Sequence, residues 1–142
     1  KTSRLFLLEV ISCGRNAHEE RFQYRRFSSR VRIYRGEKLI YQDNTCYEPE
    51  KMPMEGIGMY EGYTHMANLF LSEIYTGQDS TDKEINLELQ EKIWQLLDEE
   101  PDTDGGVTRL TTGDLVLRIF AHRAQTLQQL ADKIKKLYGA IH

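Results

Sequence analysis

The sequence has few of the residues and runs that mark specialised classes of protein. It contains only three prolines, ten glycines and two cysteines among 142 residues. Its longest apolar runs, such as 5–8, fall far below the roughly 18 residues that a membrane span needs. Collagen-like and proline-rich chains are excluded. Cys13 and Cys46 form neither a CxxC pair nor a disulfide framework, so we expect reduced thiols and a cytoplasmic protein.

The usual catalytic signatures are also missing. The sequence has no P-loop, no GxGxxG that opens a helix and no GxSxG nucleophile elbow. Its histidines form no HExxH, HxH or i,i+4 pair; they are His18, His65, His122 and His142. Two of these, His18 and His65, could converge with the cysteines, although no spacing requires it. We therefore predict no catalytic residues and no metal centre defined by spacing.

The charge is ordered along the chain although its total is only −3. Residues 1–40 carry ten Lys or Arg against four Asp or Glu, residues 41–106 carry three against sixteen, and residues 107–142 carry six against two. Such a basic–acidic–basic order is compatible with a nucleic-acid or acidic partner, or with pairing between segments of the chain. We favour internal pairing or solvated charges.

The first half of the chain predicts short strands. A mostly apolar run over 4–11 and an alternating run over 20–27 are typical of strands, and a further strand precedes a turn at 35–37. The chain then resumes as a strand up to Asp43-Asn44, which we interpret as an Asx turn. Two prolines and three glycines predict a long loop over 45–62.

The second half predicts two helices among further strands. Strand signals cover 63–76, with a helix as the alternative for 66–73. A capped helix is expected from Ser80 or Thr81 to about residue 100, and Gly105-Gly106 is expected to start a turn. Two strands and a final amphipathic helix follow; they are expected over 107–110, 114–121 and 124–138, with Gly139 as the C-cap. The overall prediction is a single domain, mainly β with two α-helices (α+β).

Arginines and aromatic residues alternate over 20–35 and suggest an alternative function. The arginines are Arg21, Arg25, Arg26, Arg30, Arg32 and Arg35, and the aromatics are Phe22, Tyr24, Phe27 and Tyr34. This interleaving occurs in nucleic-acid-binding β-domains. No RNP-like motif is present, so solvated or ion-paired arginines are the simpler interpretation.

The most specific local cluster is Gly62-Tyr63-Thr64-His65, which follows the glycine-rich loop. The histidine could bind a metal ion or line a polar passage. Alternatively, its ring orders the loop by hydrogen bonding, and this is the interpretation that we favour.

Several segments in order resemble one family, the urease accessory protein UreD, also called UreH. The resemblance rests on Gly14-Arg15, 20–24, 29–33, 40–45, the loop through Pro49, 59–65, 107–110, 115–120 and the final helix. Their order and spacing match the family over almost the whole chain. Family members are about twice as long, so the chain resembles the C-terminal half of a UreD/UreH-type protein.

The resemblance implies a scaffold and not an enzyme. Proteins of this family have a β-rich, β-helix-like fold with a few helices. They bind the urease apoprotein and UreF, and through UreF they recruit the GTPase UreG. The assembly delivers nickel to urease, and an internal passage has been proposed as the nickel route. The resemblance therefore implies no tightly bound cofactor, transient handling of nickel, and neither a nucleic-acid nor a membrane partner.

The resemblance also indicates which residues occupy family motif positions. They are Gly14, Arg15, Asp43, Asn44, Gly62, Tyr63, Thr64 and His65. A transient ion path needs widely spaced oxygen and nitrogen ligands, because a tight cage would prevent release. On that argument Asp43, Glu61 and His65 are the candidates for the nickel path. The UreF contact is expected on the two helices and their flanks.

Overall fold

The computed structural model describes residues 4–14, 21–54, 56, 60–73 and 79–140, and over 79–86 it describes the backbone alone. These residues form six strands and two helices. In chain order they are β1 (Phe6–Ser12), β2 (Phe27–Arg35), β3 (Lys38–Tyr47), β4 (His65–Leu71), α1 (Asp79–Glu99), β5 (Thr103–Arg109), β6 (Leu115–Ala121) and α2 (Ala124–Gly139). The predicted α+β class, mainly β with two helices, is confirmed.

The chain divides into two compact units. One comprises Lys1–Ser12 and Tyr63–His142, and it holds both helices and a four-stranded sheet in the order β1-β4-β6-β5. The other comprises Cys13–Gly62 and holds the two-stranded sheet of β2 and β3. All strand pairs in both sheets are antiparallel. The β-helical arrangement and the single domain over 1–142 stay predictions.

The core of the first unit lies between one face of its sheet and the two helices. Alternate residues of a strand share a face, so Ala67, Leu69 and Leu71 of β4 all enter this core. The helices contribute residues that recur every three or four positions: Leu89, Ile93 and Leu97 from α1, and Leu127, Leu130, Ile134 and Tyr138 from α2. The amphipathic character predicted for the final helix is thereby confirmed, with Tyr138 in the core and Leu137 partly buried against it.

The predicted strand over 20–27 is wrong for residues 21–26, which form turns, bends and irregular chain. Phe22 has a positive φ of 52°, which no strand accommodates, and its N–H donates to the carbonyl oxygen of Cys13 at 2.6 Å. The aromatic residues of this segment instead belong to an aromatic cluster, formed by Phe22, Tyr24, Phe27, Tyr47 and Tyr60. In that cluster the Phe22 ring lies 4.9 Å from the Tyr60 ring, centroid to centroid.

The Asx turn at Asp43-Asn44 is also wrong, because both residues lie inside β3. Asp43 pairs with Val31 and Asn44 with Arg30 across the hairpin. Pairing continues to Tyr47, which faces Phe27, so the loop begins three residues later than predicted. Polar residues are tolerated here because a two-stranded sheet leaves one face exposed. The predicted turn before β3 is confirmed, with Gly36 at φ 62°.

The turn predicted at Gly105-Gly106 is wrong, since both glycines lie within β5. A Cβ atom on Gly105 would come within 2.7 Å of the carbonyl oxygen of Arg118 on β6. Glycine is therefore used here for close approach of two backbones and not for a turn. The helix considered for 66–73 is likewise wrong for β4, whose residues pair with both β1 and β6.

The C-terminal cap of α2 differs from the prediction. Gly139 is still helical, and the cap residue is Ala140 with an ordinary helical φ of −76°. The N–H of Ala140 donates to the carbonyl oxygen of Lys136 at 3.0 Å. A left-handed glycine is therefore not required to end this helix.

We predict that Gly105→Ala destabilises the sheet by about 2 kcal/mol, because the added methyl group meets backbone atoms that cannot rotate away. The change in urea midpoint, followed through Trp94 emission, measures this effect. Gly106→Ala is the matched control, since its Cβ would only touch the Trp94 ring at 3.6 Å. Equal stability of the two variants would contradict the close approach.

Candidate functional site

β4, β5 and β6 bring polar residues to the same end of the four-stranded sheet. β4 begins with His65, which pairs with Ala121 at the end of β6, and Ala121 in turn pairs with Thr103 at the start of β5. The next residue outward on each strand therefore lies at this end. Those residues are Thr64, His122 and Asp102. The structure thus places two histidines, a hydroxyl and a carboxylate together.

The Thr64 hydroxyl contacts the ring of His65 and the backbone of His122. Thr64 is buried, and its Oγ1 donates to the carbonyl oxygen of His122 at 2.7 Å. The same Oγ1 lies 2.7 Å from Nδ1 of His65. A hydroxyl has one proton to donate, and the carbonyl can only accept it. The Nδ1 of His65 is therefore the donor to Thr64, which leaves Nε2 as the basic nitrogen of this ring.

The ring of His122 also has Nδ1 as its donor and Nε2 as its basic nitrogen, but its Nδ1 has a different partner. Its Nδ1 lies 2.7 Å from Oδ1 of Asp102, and a carboxylate oxygen accepts. The neutral ring therefore carries its proton on Nδ1 and presents Nε2 as its basic nitrogen. Orientation of a histidine by a carboxylate or another oxygen is the arrangement that supports histidine ligands around metal ions.

Tyr63 fixes the plane of the His122 ring. The two ring centroids are 4.5 Å apart with an interplanar angle of 36°, and the Tyr63 ring also lies 6.2 Å from that of Phe120. His122 is therefore held by a ring contact and by Asp102, although half of its side chain is exposed. The cluster thus combines an oriented ring with access from solvent.

Burial lowers the pKa of His65 below its usual value of about 6.5. Removal from water disfavours the charged imidazolium, so the neutral ring is the form present at neutral pH. A neutral imidazole is the form that binds a metal ion or accepts a proton.

The cluster does not form a closed metal centre. Within the described part of the chain, no group of three or more His, Cys, Asp and Glu residues could hold a metal ion. Each oriented ring offers one imidazole nitrogen, and a single nitrogen is an open and weak site to which solvent supplies the remaining ligands. Such a site is suited to brief contact with an ion and not to its storage.

The other predicted positions lie outside this cluster. Gly14 has a positive φ after β1, Glu61 and Gly62 form a turn with φ of 50° and 89°, and Arg15 lies outside the described residues. Of the nickel-path candidates, Asp43 and Glu61 belong to the Cys13–Gly62 unit and His65 to the other.

Asp43 and Asn44 are engaged within the hairpin. Oδ2 of Asp43 accepts a hydrogen bond from Oγ1 of Thr45 at 3.1 Å. Oδ1 of Asn44 accepts one from Nε of Arg30 at 3.2 Å. Both bonds join neighbouring or cross-strand residues, so they contribute to the geometry of the hairpin.

The arginines and aromatics of the first half separate in space. Arg30 and Arg32 are exposed on β2, whereas Phe27 lies in the aromatic cluster, its ring stacked 6.0 Å from Tyr47. Burial raises the pKa of the Tyr24 hydroxyl in that cluster to about 12. Of the four aromatics proposed to interleave with the arginines, only Tyr34 is strongly exposed, at 54%. Phe22, Tyr24 and Phe27 therefore do not form an exposed surface on which nucleic-acid bases could stack.

Sequence reasoning missed His122 and Asp102 as partners of the motif. The sequence did contain a usable signal. Thr112 lies at the centre of the β5–β6 hairpin, and Asp102 lies ten residues before it and His122 ten residues after it. The observed register pairs Thr103 with Ala121, so Asp102 and His122 are the next residues of the same ladder. Because a turn was predicted at Gly105-Gly106, the pairing of Asp102 with His122 about Thr112 was not recognised.

Comparison with known proteins identifies the family. The family model described as UreD urease accessory protein matches residues 1–141. The chain belongs to the UreD urease accessory protein family. The predicted resemblance is thus confirmed, and the cluster described above contains Tyr63, Thr64 and His65, which the resemblance predicts as motif positions.

Individual UreD-family relatives agree with this assignment. Urease accessory protein UreH of Helicobacter acinonychis (strain Sheeba) is 33% identical over 136 residues, which are 96% of this chain and 47% of the relative. Urease accessory protein UreD of Haemophilus influenzae (strain 86-028NP) is 30% identical over 144 residues, covering 98% and 51%. UreD of Acetivibrio thermocellus is 28% identical over 130 residues, covering 91% and 46%. The chain spans about half the length of the curated relatives it matches.

Neither helix in the described part of this UreD-family chain has the length and apolar character needed to cross a membrane.

We predict that the stability of the His65-containing unit falls as pH decreases below about 6.5. Burial lowers the pKa of folded His65, so the unfolded chain binds more protons in the window between that lowered pKa and about 6.5. Stability therefore increases with pH across this window. Urea unfolding between pH 5 and pH 8, followed through Trp94, measures it.

His65→Gln should weaken this pH dependence, because glutamine does not titrate. His122→Gln is the matched control and should retain the His65 contribution. An NMR midpoint for the His65 ring at or above 6.5, or an unchanged pH dependence in His65→Gln, would contradict the prediction.

Proposed function

We propose that the protein is a non-catalytic urease accessory scaffold that acts in the cytoplasm during nickel insertion into the urease apoprotein. The observation that carries this proposal is the UreD family match over residues 1–141. Relatives that cover almost the whole chain are named urease accessory protein UreH or UreD. Its proposed partners are the urease structural subunits, UreF, and through UreF the GTPase UreG.

The proposed handling of nickel is transient, with no tightly bound cofactor. Imidazole nitrogen is a suitable ligand for nickel, and both His65 and His122 present Nε2 as the basic nitrogen. Hydrogen bonds to Thr64 and Asp102 orient the rings before any ion arrives. A ring that offers a single nitrogen releases an ion more readily than a closed site, which is what delivery requires.

The wider ion path proposed from the sequence includes Asp43, Glu61 and His65. Carboxylates attract a divalent cation, and separated ligands permit exchange at each step. The structure adds His122 and Asp102 to the residues worth testing, because they share the sheet end with His65. Nucleic acid and membranes are not among the proposed partners.

Co-purification tests the scaffold function directly. A tagged full-length protein, expressed with the urease subunits, UreF and UreG, should retain urease and UreF, and should retain UreG only when UreF is present. Failure of the intact protein to bind both urease and UreF would overturn the proposal. RNA binding that weakens steeply with salt would instead favour the arginine-based alternative.

We predict that Ni²⁺ selectively broadens the NMR signals of the His65 and His122 rings, because paramagnetic Ni²⁺ affects the nuclei of its ligands most strongly. The broadening should reverse on addition of EDTA. In Asp102→Asn the effect at His122 should decrease, since the amide is a weaker acceptor for Nδ1–H.

Glu37→Gln, at an exposed turn position, is the matched charge control and should change neither ring signal. If Ni²⁺ leaves both rings unaffected while it broadens other residues, the ion path does not use this cluster.

A further inference from the structure

Helix α1 carries an exposed face that the urease accessory family assignment does not explain. Leu87, Glu91, Trp94 and Asp98 recur at intervals of four, three and four, and this spacing places them in one line along a helix. All four are exposed, with Leu87 at 50% and Trp94 at 39%. We call these four residues the α1 stripe. The buried face of the same helix is formed by other residues, such as Ile93.

The two apolar residues of the α1 stripe suit a contact surface. Large exposed side chains usually occur singly, whereas Leu87 and Trp94 stand two helical turns apart on the same line. The Trp94 ring lies against β5, within 3.6 Å of the position that a Cβ atom of Gly106 would occupy. One side of the ring is therefore supported. A supported aromatic ring loses little conformational entropy on binding, which is typical of binding hot spots.

The charged residues of the α1 stripe are both acidic. Glu91 and Asp98 lie beside the apolar residues, and the nearby Lys92 is engaged with Glu88, its Nζ 3.0 Å from Oε1. The last turn of α1 contains no basic residue. Asp98 lies in that last turn, where a carboxylate opposes the helix dipole at a cost in stability. A cation supplied by a partner would offset that cost.

We propose that the α1 stripe docks a cationic amphipathic helix of a partner protein. The seven-residue interval between Leu87 and Trp94 matches the spacing at which a second helix presents apolar residues along one side. Lysine or arginine residues flanking that apolar row would meet Glu91 and Asp98. This inference rests on the proposed scaffold function, because it assigns a docking surface to the assembly.

A synthetic peptide tests the chemistry of this surface. The probe is a labelled helical peptide of 18 residues with leucine at seven- and four-residue intervals and lysine beside them, and its counterpart carries glutamate in place of lysine. Anisotropy with the full-length protein should show at least tenfold tighter binding of the lysine peptide. Its binding should weaken between 50 and 500 mM NaCl, and the emission of Trp94 should shift to shorter wavelength. Equal binding of the two peptides would overturn the proposal.

Charge variants locate the surface. Glu91→Gln/Asp98→Asn should reduce binding of the lysine peptide at least tenfold without unfolding α1, as checked by circular dichroism. The matched control is Glu37→Gln/Glu50→Gln, which removes the same charge at exposed positions of the other unit and should bind like the wild type. Equal affinity of the two double variants would overturn the proposal, and so would a stripe that is covered by a second copy of the chain in solution.

Failure of the docking inference can be distinguished from failure of the proposed scaffold function. If the wild type co-purifies with urease and UreF while the peptide does not bind, the docking inference fails and the scaffold function stands. If the peptide binds through Glu91 and Asp98 but neither urease nor UreF is retained, the scaffold function fails and the stripe remains a docking surface for another partner.

Discussion

The antiparallel register of β4, β6 and β5 is the constraint on which the core and the site of the larger unit both depend. Side chains alternate along a strand, so a shift of one residue would move Leu69 and Leu117 to the opposite face of the sheet. The same register aligns the strand ends and thereby brings Thr64, Asp102 and His122 together. Burial of the apolar face against α1 and α2 thus stabilises the geometry of the histidine cluster.

The chemistry of the cluster follows from what each ring nitrogen contacts. Oxygen partners occupy Nδ1 of His65 and of His122, and the basic nitrogen of each ring is therefore Nε2. Burial keeps His65 neutral, whereas His122 stays partly exposed beside its carboxylate. An open arrangement of this kind favours exchange over retention. It is the geometry on which the proposed transient contact with nickel rests.

Helix α1 contributes to both the buried core and an exposed surface. Its buried residues complete the core of the unit, while its exposed line combines two apolar side chains with two carboxylates. Two of the sixteen carboxylates of residues 41–106, Glu91 and Asp98, thereby lie on one exposed line of the helix. In the other unit, the arginines of β2 are similarly separated from the aromatic cluster.

The sequence by itself determined the fold class, the two helices, most strands and the family, because apolar periodicity and ordered motifs are local properties. It also identified Thr64 and His65 from their place after a glycine-rich loop. It misplaced residues 21–26 and Gly105-Gly106, where alternation and glycine have more than one structural use. Only the tertiary structure decided that Gly105 permits backbone contact with Arg118. It alone also joined His122 and Asp102 to the motif, since that contact depends on the pairing of strands distant in the chain.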